Sequence, residues 1–224
     1  MRIISGYAKG LKLQVPHGQA IRPTSDRAKE ALFNIIGSRV RNASVLDLFA
    51  GTGALGLEAL SRGAGHVTFV ENDPNALLLI KKNLRIVEKT AASGQMKTDG
   101  ALLYFPQKPV TVIKYDLRRE SFFLNKTRTD HPPFFDLIFL DPPYEKGLSL
   151  QTLTYLDQNA FLTEHGLLIA EDRAGVELPD SFSTLTIMDK RRYGDTGFWF
   201  YCTSSSRYTY PGKHKEPYNH TGKP

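Results

Sequence analysis

The stretch SVLDLFAGTGALGLEALSRG, residues 44–63, changes character twice. After Ser44 it is an apolar run broken only by Asp47, passes through glycines at 51, 53 and 56, and continues into a leucine- and alanine-rich segment that Gly63 ends. This predicts a buried strand, a tight turn and a helix, the unit that opens an alternating α/β sheet and puts a ligand at the strand's carboxyl end. The chain on either side follows the same alternation. Downstream, HVTFVE (66–71) reads as a strand, and DPNALLLIKKNLRIVEK (73–89) as a helix with Asp73 as cap and Pro74 at its first position. VTVIKYD (110–116) is the next strand, a short helix is expected after it, and FFDLIFLD (134–141) is a strand again. SLQTLTYLDQNAFL (149–162) reads as a helix, and GLLIAEDR (166–173), TLTIMDKRRY (184–193) and GFWFYCT (197–203) as strands.

The expected fold class is therefore α/β and Rossmann-like, a mostly parallel sheet with helices on both faces. Its last two strands lack an intervening helix and should pair antiparallel at one edge. Upstream, RIISGYAKGLKLQV (2–15) suggests two short strands around a turn at Tyr7 to Gly10. RPTSDRAKEALFNIIG (22–37) suggests a helix capped by Thr24 or Ser25, with Ala28, Leu32, Ile35 and Ile36 as its apolar stripe. Three regions result: a basic hairpin-and-helix extension over 1–41, the main domain over 42–203, and a tail over 204–224 whose near-lack of aliphatics predicts disorder. Residues 90–109 read as a long loop.

Composition bounds the partners. With 224 residues, 41% of them hydrophobic, the chain can bury a sizeable core. No apolar run approaches the ~20 residues of a membrane span, and the first residues lack a signal peptide's apolar core. Cys202 stands by itself, which excludes an intramolecular disulfide framework and makes a reducing cytoplasm the default. Of the formal charge of +6, residues 1–41 carry eight Lys/Arg against Asp26 and Glu30, a balance that suits a polyanion such as nucleic acid.

The three glycines satisfy G-x-G-x-x-G, and Glu71 follows Gly51 by twenty residues at the end of the next strand. That pattern fits any adenosine cofactor. Asp47, four residues before Gly51, tips the choice: a carboxylate there repels a pyrophosphate and favours the ammonium and sulfonium of S-adenosylmethionine. Glu71 can accept two ribose hydroxyls. Asp116 can accept from the adenine amino group, with the Leu117 N–H facing a ring nitrogen.

The strand FFDLIFL ends in Asp141-Pro142-Pro143-Tyr144. An aromatic exocyclic amine is a poor nucleophile because its lone pair is conjugated into the ring. Two acceptors gripping its N–H bonds, the Asp141 carboxylate and the Pro142 carbonyl, favour a tetrahedral nitrogen and free that lone pair for attack on a methyl group. Proline stiffens the loop by fixing φ. Tyr144 offers a face for base stacking, worth about 1–3 kcal/mol. Nothing in the sequence requires a metal.

With these motifs the chain resembles the S-adenosylmethionine-dependent amino-methyltransferases of the Asp-Pro-Pro-Tyr type and, more narrowly, the 16S rRNA guanine-N2 methyltransferases (RsmD-like). The narrower resemblance rests on RIISGYAKG, IRPTSDRAKEALFNIIG, VLDLFAGTGALGLEALSRGA, FVENDPNA, FDLIFLDPPYEKG and RRYGDTGFWFY. It implies a seven-stranded methyltransferase sheet and a guanine 2-amino target in 16S rRNA, within a small ribosomal subunit already carrying proteins. By motif position it assigns Asp47, Gly51, Gly53, Glu71, Asn72, Asp116 and Leu117 to the cofactor and Asp141 to Tyr144 to the target base. Arg22, Thr24 and Arg27 fall to the RNA. The alternatives are an adenine-N6 or cytosine-N4 DNA methyltransferase, a non-catalytic RNA-binding assembly factor, and an NAD oxidoreductase. A monomer is the default.

Overall fold

In a computed structural model of the protein, the structure describes residues 1–16, 26–92, 110–119, 134–144 and 147–205. Arg22 and Thr24, most of the expected loop over 90–109, the segment 120–133 where a short helix is expected, and the tail beyond 205 lie outside the described residues. Seven strands form one sheet: β1 (Ser44–Leu48), β2 (His66–Glu71), β3 (Val110–Lys114), β4 (Phe135–Leu140), β5 (Leu162–Arg173), β6 (Leu185–Tyr193) and β7 (Thr196–Thr203). Their order is β3-β2-β1-β4-β5-β7-β6. The first five run parallel, and β7 enters antiparallel between β5 and β6, so the last two strands pair antiparallel at one edge as expected. The chain lays down β1, β2 and β3 in one direction and then crosses to put β4 on the other side of β1. That reversal leaves a crevice at the carboxyl ends of β1 and β4, where open α/β sheets bind ligands.

Strands β1 and β4 are apolar on both faces because both faces are covered. Helices α1 (Asp26–Ile36), α2 (Ala54–Ser61) and α3 (Pro74–Ala92) pack on one face, where Leu32, Phe33, Leu57 and Ile80 meet Val45, Phe69 and Phe139. Helix α4 (Leu148–Asn159) covers the other, with Leu153 and Leu156 against Leu46, Ile138 and Trp199. Asp73 caps α3 as expected, its Oδ1 accepting the Ala76 N–H at 2.8 Å. Among the described residues no helix is long and apolar enough to cross a membrane.

One expectation needs correction. Helix α4 stops at Asn159 rather than running to Leu162, because Ala160 adopts a left-handed conformation (φ 48°). Phe161 then accepts the Phe135 N–H at 2.8 Å, and β5 begins at Leu162, four residues before Gly166. The N-terminal hairpin closes over the expected turn at Tyr7 to Gly10: Ile3 and Leu13 donate to the Leu11 and Met1 carbonyls and Gly10 to that of Ile3, around an antiparallel bridge between Arg2 and Lys12. Others of its donors reach α2. Ile4 and Ser5 donate to the two carboxylate oxygens of Glu58 (2.7 and 2.9 Å), and Tyr7 and Ala8 donate to the carbonyl and hydroxyl of Ser61. Gly6 makes this approach possible: it sits at φ +82°, and a Cβ there would fall 1.7 Å from the Ser61 carbonyl oxygen. Lys29 of α1 completes the junction. Its Nζ lies 3.4 Å from Glu58 Oε2 and donates to the Arg2 carbonyl at 2.6 Å, with both side chains fully buried. The N-terminal segment thus shares the core under β1, β2 and β4.

Candidate active site

The glycine turn after β1 is shaped around Asp47. This carboxylate is buried, and its Oδ2 accepts the Gly56 N–H at 2.9 Å. Only glycine fits at position 56, since a Cβ would lie 2.3 Å from the Phe69 ring and 2.9 Å from Asp47 Oδ2. Burial pushes the Asp47 carboxyl up to about 8; the Gly56 bond opposes that rise and the neighbouring Glu71 charge adds to it. A cation placed beside this carboxyl would favour its charged form.

Glu71 ends β2, and its carboxylate holds three backbone donors: Gly51 N–H on Oε2 (2.8 Å), and Asn72 and Asp73 N–H on Oε1 (2.7 and 2.8 Å). A carboxylate offers about four acceptor sites, so full use of Glu71 by a ribose requires the Gly51 contact to be exchanged. Asp116 follows β3 and is gripped by Arg118 through Nε and Nη2 at 2.8 and 3.0 Å, with Arg119 at 3.8 Å. The Arg118 hydrogen bond holds its carboxyl below the usual range. For Asp116 to take an adenine amino group, Arg118 has to swing aside.

Asp141 continues the pairing of β4 with β1, its N–H reaching the Leu48 carbonyl at 3.4 Å. Pro142 is buried, whereas Pro143 and Tyr144 are exposed. All four line the same cleft as Asp47, Glu71 and Asp116. Its volume of about 1550 Å³ exceeds the ~300–1,000 Å³ of an ordinary small-molecule site, so a cofactor and an extruded base fit together. Burial raises the Asp141 carboxyl well above the ordinary value, and the charges of Glu171, Asp47 and Asp172 raise it further. Sequence reasoning missed Glu171. It reads as one polar residue inside the strand GLLIAEDR, and only the register Leu140↔Ala170 reveals that it sits beside Asp141. It too lines the cleft and is 4% exposed. Arg173, two residues on, places its guanidinium carbon 5.3 Å from the Tyr144 ring centroid.

The acids at both ends of the cleft suit a cationic methyl donor and disfavour the pyrophosphate of a dinucleotide. Gly53, Asn72 and Leu117 stand where the glycine turn and the β2 and β3 ends place them, with Asn72 and Leu117 lining the cleft. Of the residues assigned to RNA, Arg27 is exposed on the first turn of α1.

The family model described as conserved hypothetical protein 95 matches residues 1–202. YlbH of Bacillus subtilis, named as a proposed rRNA methyltransferase, is 38% identical over 90% of this chain and 98% of its own length. Ribosomal RNA small subunit methyltransferase D of Escherichia coli is 31% identical over 90% of this chain and 89% of its own. Among solved structures, a proposed methyltransferase from Escherichia coli, yhhF, superimposes with a TM-score of 0.68 at 30% identity, covering 92% of this chain and 99% of that one. The fold is the Rossmann-like class I methyltransferase fold.

Proposed function

The chain belongs to the RsmD family, described as conserved hypothetical protein 95, and from that membership and the acidic cleft we propose that it transfers a methyl group from S-adenosylmethionine to the exocyclic 2-amino group of a guanine in 16S rRNA. The observation that carries the reading is the meeting of two motifs at one crevice: the glycine turn after β1 and Asp141-Pro142-Pro143-Tyr144 after β4. The names of the Bacillus subtilis and Escherichia coli relatives support rRNA as the polymer.

Bound beside Asp47, S-adenosylmethionine supplies an electrophilic methyl on a sulfonium. Asp47 pairs with its ammonium group. The backbone at Gly51 and Gly53 leaves room for the chain, while Glu71 and Asn72 hold the ribose and Asp116 and Leu117 the adenine. Tyr144 stacks on the extruded guanine. The Asp141 carboxylate and the Pro142 carbonyl accept the two N–H bonds of its 2-amino group. An amine held this way would take the methyl as its bond to sulfur breaks, with S-adenosylhomocysteine leaving, and Asp141 would stabilise the positive charge the nitrogen acquires. A carboxyl with a raised proton affinity is suited to receive the proton that the methylated nitrogen then sheds. Arg22, Thr24 and Arg27 contact the RNA backbone, and the substrate is the small ribosomal subunit.

The test is transfer of labelled methyl from S-adenosylmethionine to undermethylated small subunits, with naked 16S rRNA and duplex DNA alongside. Label in the ribosomal substrates is the expected result. Label in DNA alone would replace rRNA by DNA while keeping the amine clamp, and no label with intact cofactor binding would favour a non-catalytic assembly factor.

A further inference from the structure

The row of residues beyond Tyr144 is used by nothing described so far. On β5 the register with β7 pairs Arg173 with Thr196, and on β6 it pairs Tyr193 with the same Thr196. Residues opposite one another in neighbouring strands share a sheet face, so Arg173, Thr196 and Tyr193 form one line. Phe198, two residues from Thr196, packs in the core under α1 and α2, and Tyr193 packs against it at 5.9 Å between centroids. This is the face to which Asp47, with its Gly56 contact from α2, also belongs. Lower on this face, Ile35 of α1 and Arg39 in the turn after it line a small cavity with Met188 and Asp189, whereas Arg173 is exposed and Tyr193 half-exposed at the carboxyl edge.

The spacing has chemical meaning. Arg173 and Tyr193 stand two strand steps apart, roughly 9.5 Å, and the Arg173 guanidinium already lies over Tyr144. Aromatic, guanidinium, aromatic is the composition of single-strand nucleic-acid platforms, in which rings take bases and cations take the phosphates between them. The backbone of Arg173 is anchored, since its N–H donates to Asp172 Oδ1 at 2.7 Å and its carbonyl accepts the Val176 N–H at 2.9 Å, leaving only the side chain to move. There is also a physical need. Extruding a base costs a few kcal/mol of stacking, and the neighbouring nucleotide is left with a bare face that a second ring can cover.

We propose that Arg173 and Tyr193 form a subsite for the nucleotide next to the target, with Tyr193 stacking on its base and Arg173 gripping the phosphate that joins it to the extruded guanosine. The subsite rests on the reading of the cleft as an RNA methyltransferase site. It extends that site along the sheet edge, away from the cofactor.

Steady-state transfer to undermethylated small subunits tests it, with Tyr193→Leu, Tyr193→Phe, Arg173→Ala and the wild type compared at saturating S-adenosylmethionine. Leucine keeps the apolar contact with Phe198 and removes the π-face; phenylalanine restores the face. Tyr193→Leu and Arg173→Ala should each raise KM for the subunit roughly tenfold to a hundredfold, with cofactor affinity by calorimetry unchanged, and Tyr193→Phe should return KM close to the wild-type value. Arg173→Ala should also flatten the salt dependence of KM, and Tyr193→Leu should not. A wild-type KM in either Tyr193→Leu or Arg173→Ala overturns the subsite and leaves the function standing. A wild-type protein that methylates no RNA brings down the reading of the cleft, and the subsite with it.

Discussion

In the proposed function, Asp47 couples fold to function through one side chain. Its folded carboxyl titrates at about 8, against an ordinary value of 3.8. The folded state therefore favours the protonated form, and the free protein loses stability as pH rises from the unfolded value through about 8. Asp47→Asn keeps an acceptor for Gly56 and removes the buried charge. At pH 8 it should raise Tm by several degrees, at ~2–4 °C per kcal/mol for a chain of this size, and by less at pH 5, while weakening S-adenosylmethionine. For the wild type, pairing with the cofactor's ammonium requires Asp47 to lose its proton. Affinity should rise by up to tenfold per unit towards pH 8 and turn over as the α-amino group, at ~7.7–8.0, is itself deprotonated. Calorimetry from pH 6 to 9 checks this, and a flat profile contradicts it. Asp141 follows the same logic for rate. Asp141→Ala should lower single-turnover transfer by on the order of 10²–10³ with little change in cofactor affinity, and a collapse of cofactor binding would show that its role is misassigned.

Helix α2 organises more of the molecule than its eight residues suggest. Gly56 on one turn fixes Asp47, and Glu58 and Ser61 on the next take four backbone donors from the N-terminal segment. Glu58 also takes Lys29 and, at 2.8 Å, Arg62. Removing one member of a buried ion pair costs ~3–5 kcal/mol, far more than replacing both by apolar groups. Lys29→Met should therefore destabilise the protein strongly in urea melts, and Lys29→Met with Glu58→Met should recover a good part of the loss; two additive losses would refute the coupling. This junction was hidden in the sequence. The stripe of α1 showed Ala28, Leu32 and Ile36, but a lysine between them reads as solvent-facing until its partner is placed. The hairpin's attachment to α2 was hidden for the same reason, because alternation cannot tell whether a backbone donor will meet a strand or a carboxylate on a distant helix.

Across the whole molecule, the alternation of apolar strands and capped helices was legible from composition and spacing, as were the glycine turn, Asp47, Glu71 and the Asp141–Tyr144 loop. The sheet order explains why these local signals sufficed: β1 and β4 are neighbours at the reversal point, so two motifs far apart in sequence converge on one crevice. What periodicity could not supply was cross-strand register. Glu171 beside Asp141 and Tyr193 in line with Arg173 are consequences of pairings between strands, and no window of sequence contains them. Long-range charge acts at this scale too. Charge reversal at Arg27 should weaken subunit binding and reduce the slope of log K against log salt by roughly 0.7 for each phosphate no longer neutralised, whereas an unchanged slope would make Arg27 a solubilising surface residue. The most direct test of the account is the identity of the methylated nucleoside. Undermethylated small subunits are incubated with labelled S-adenosylmethionine and the wild-type protein or Asp141→Ala, and the RNA is digested to nucleosides. The account predicts label in N2-methylguanosine, strongly reduced in the variant; label in methyladenosine or methylcytidine, or equal label with and without Asp141, would contradict it.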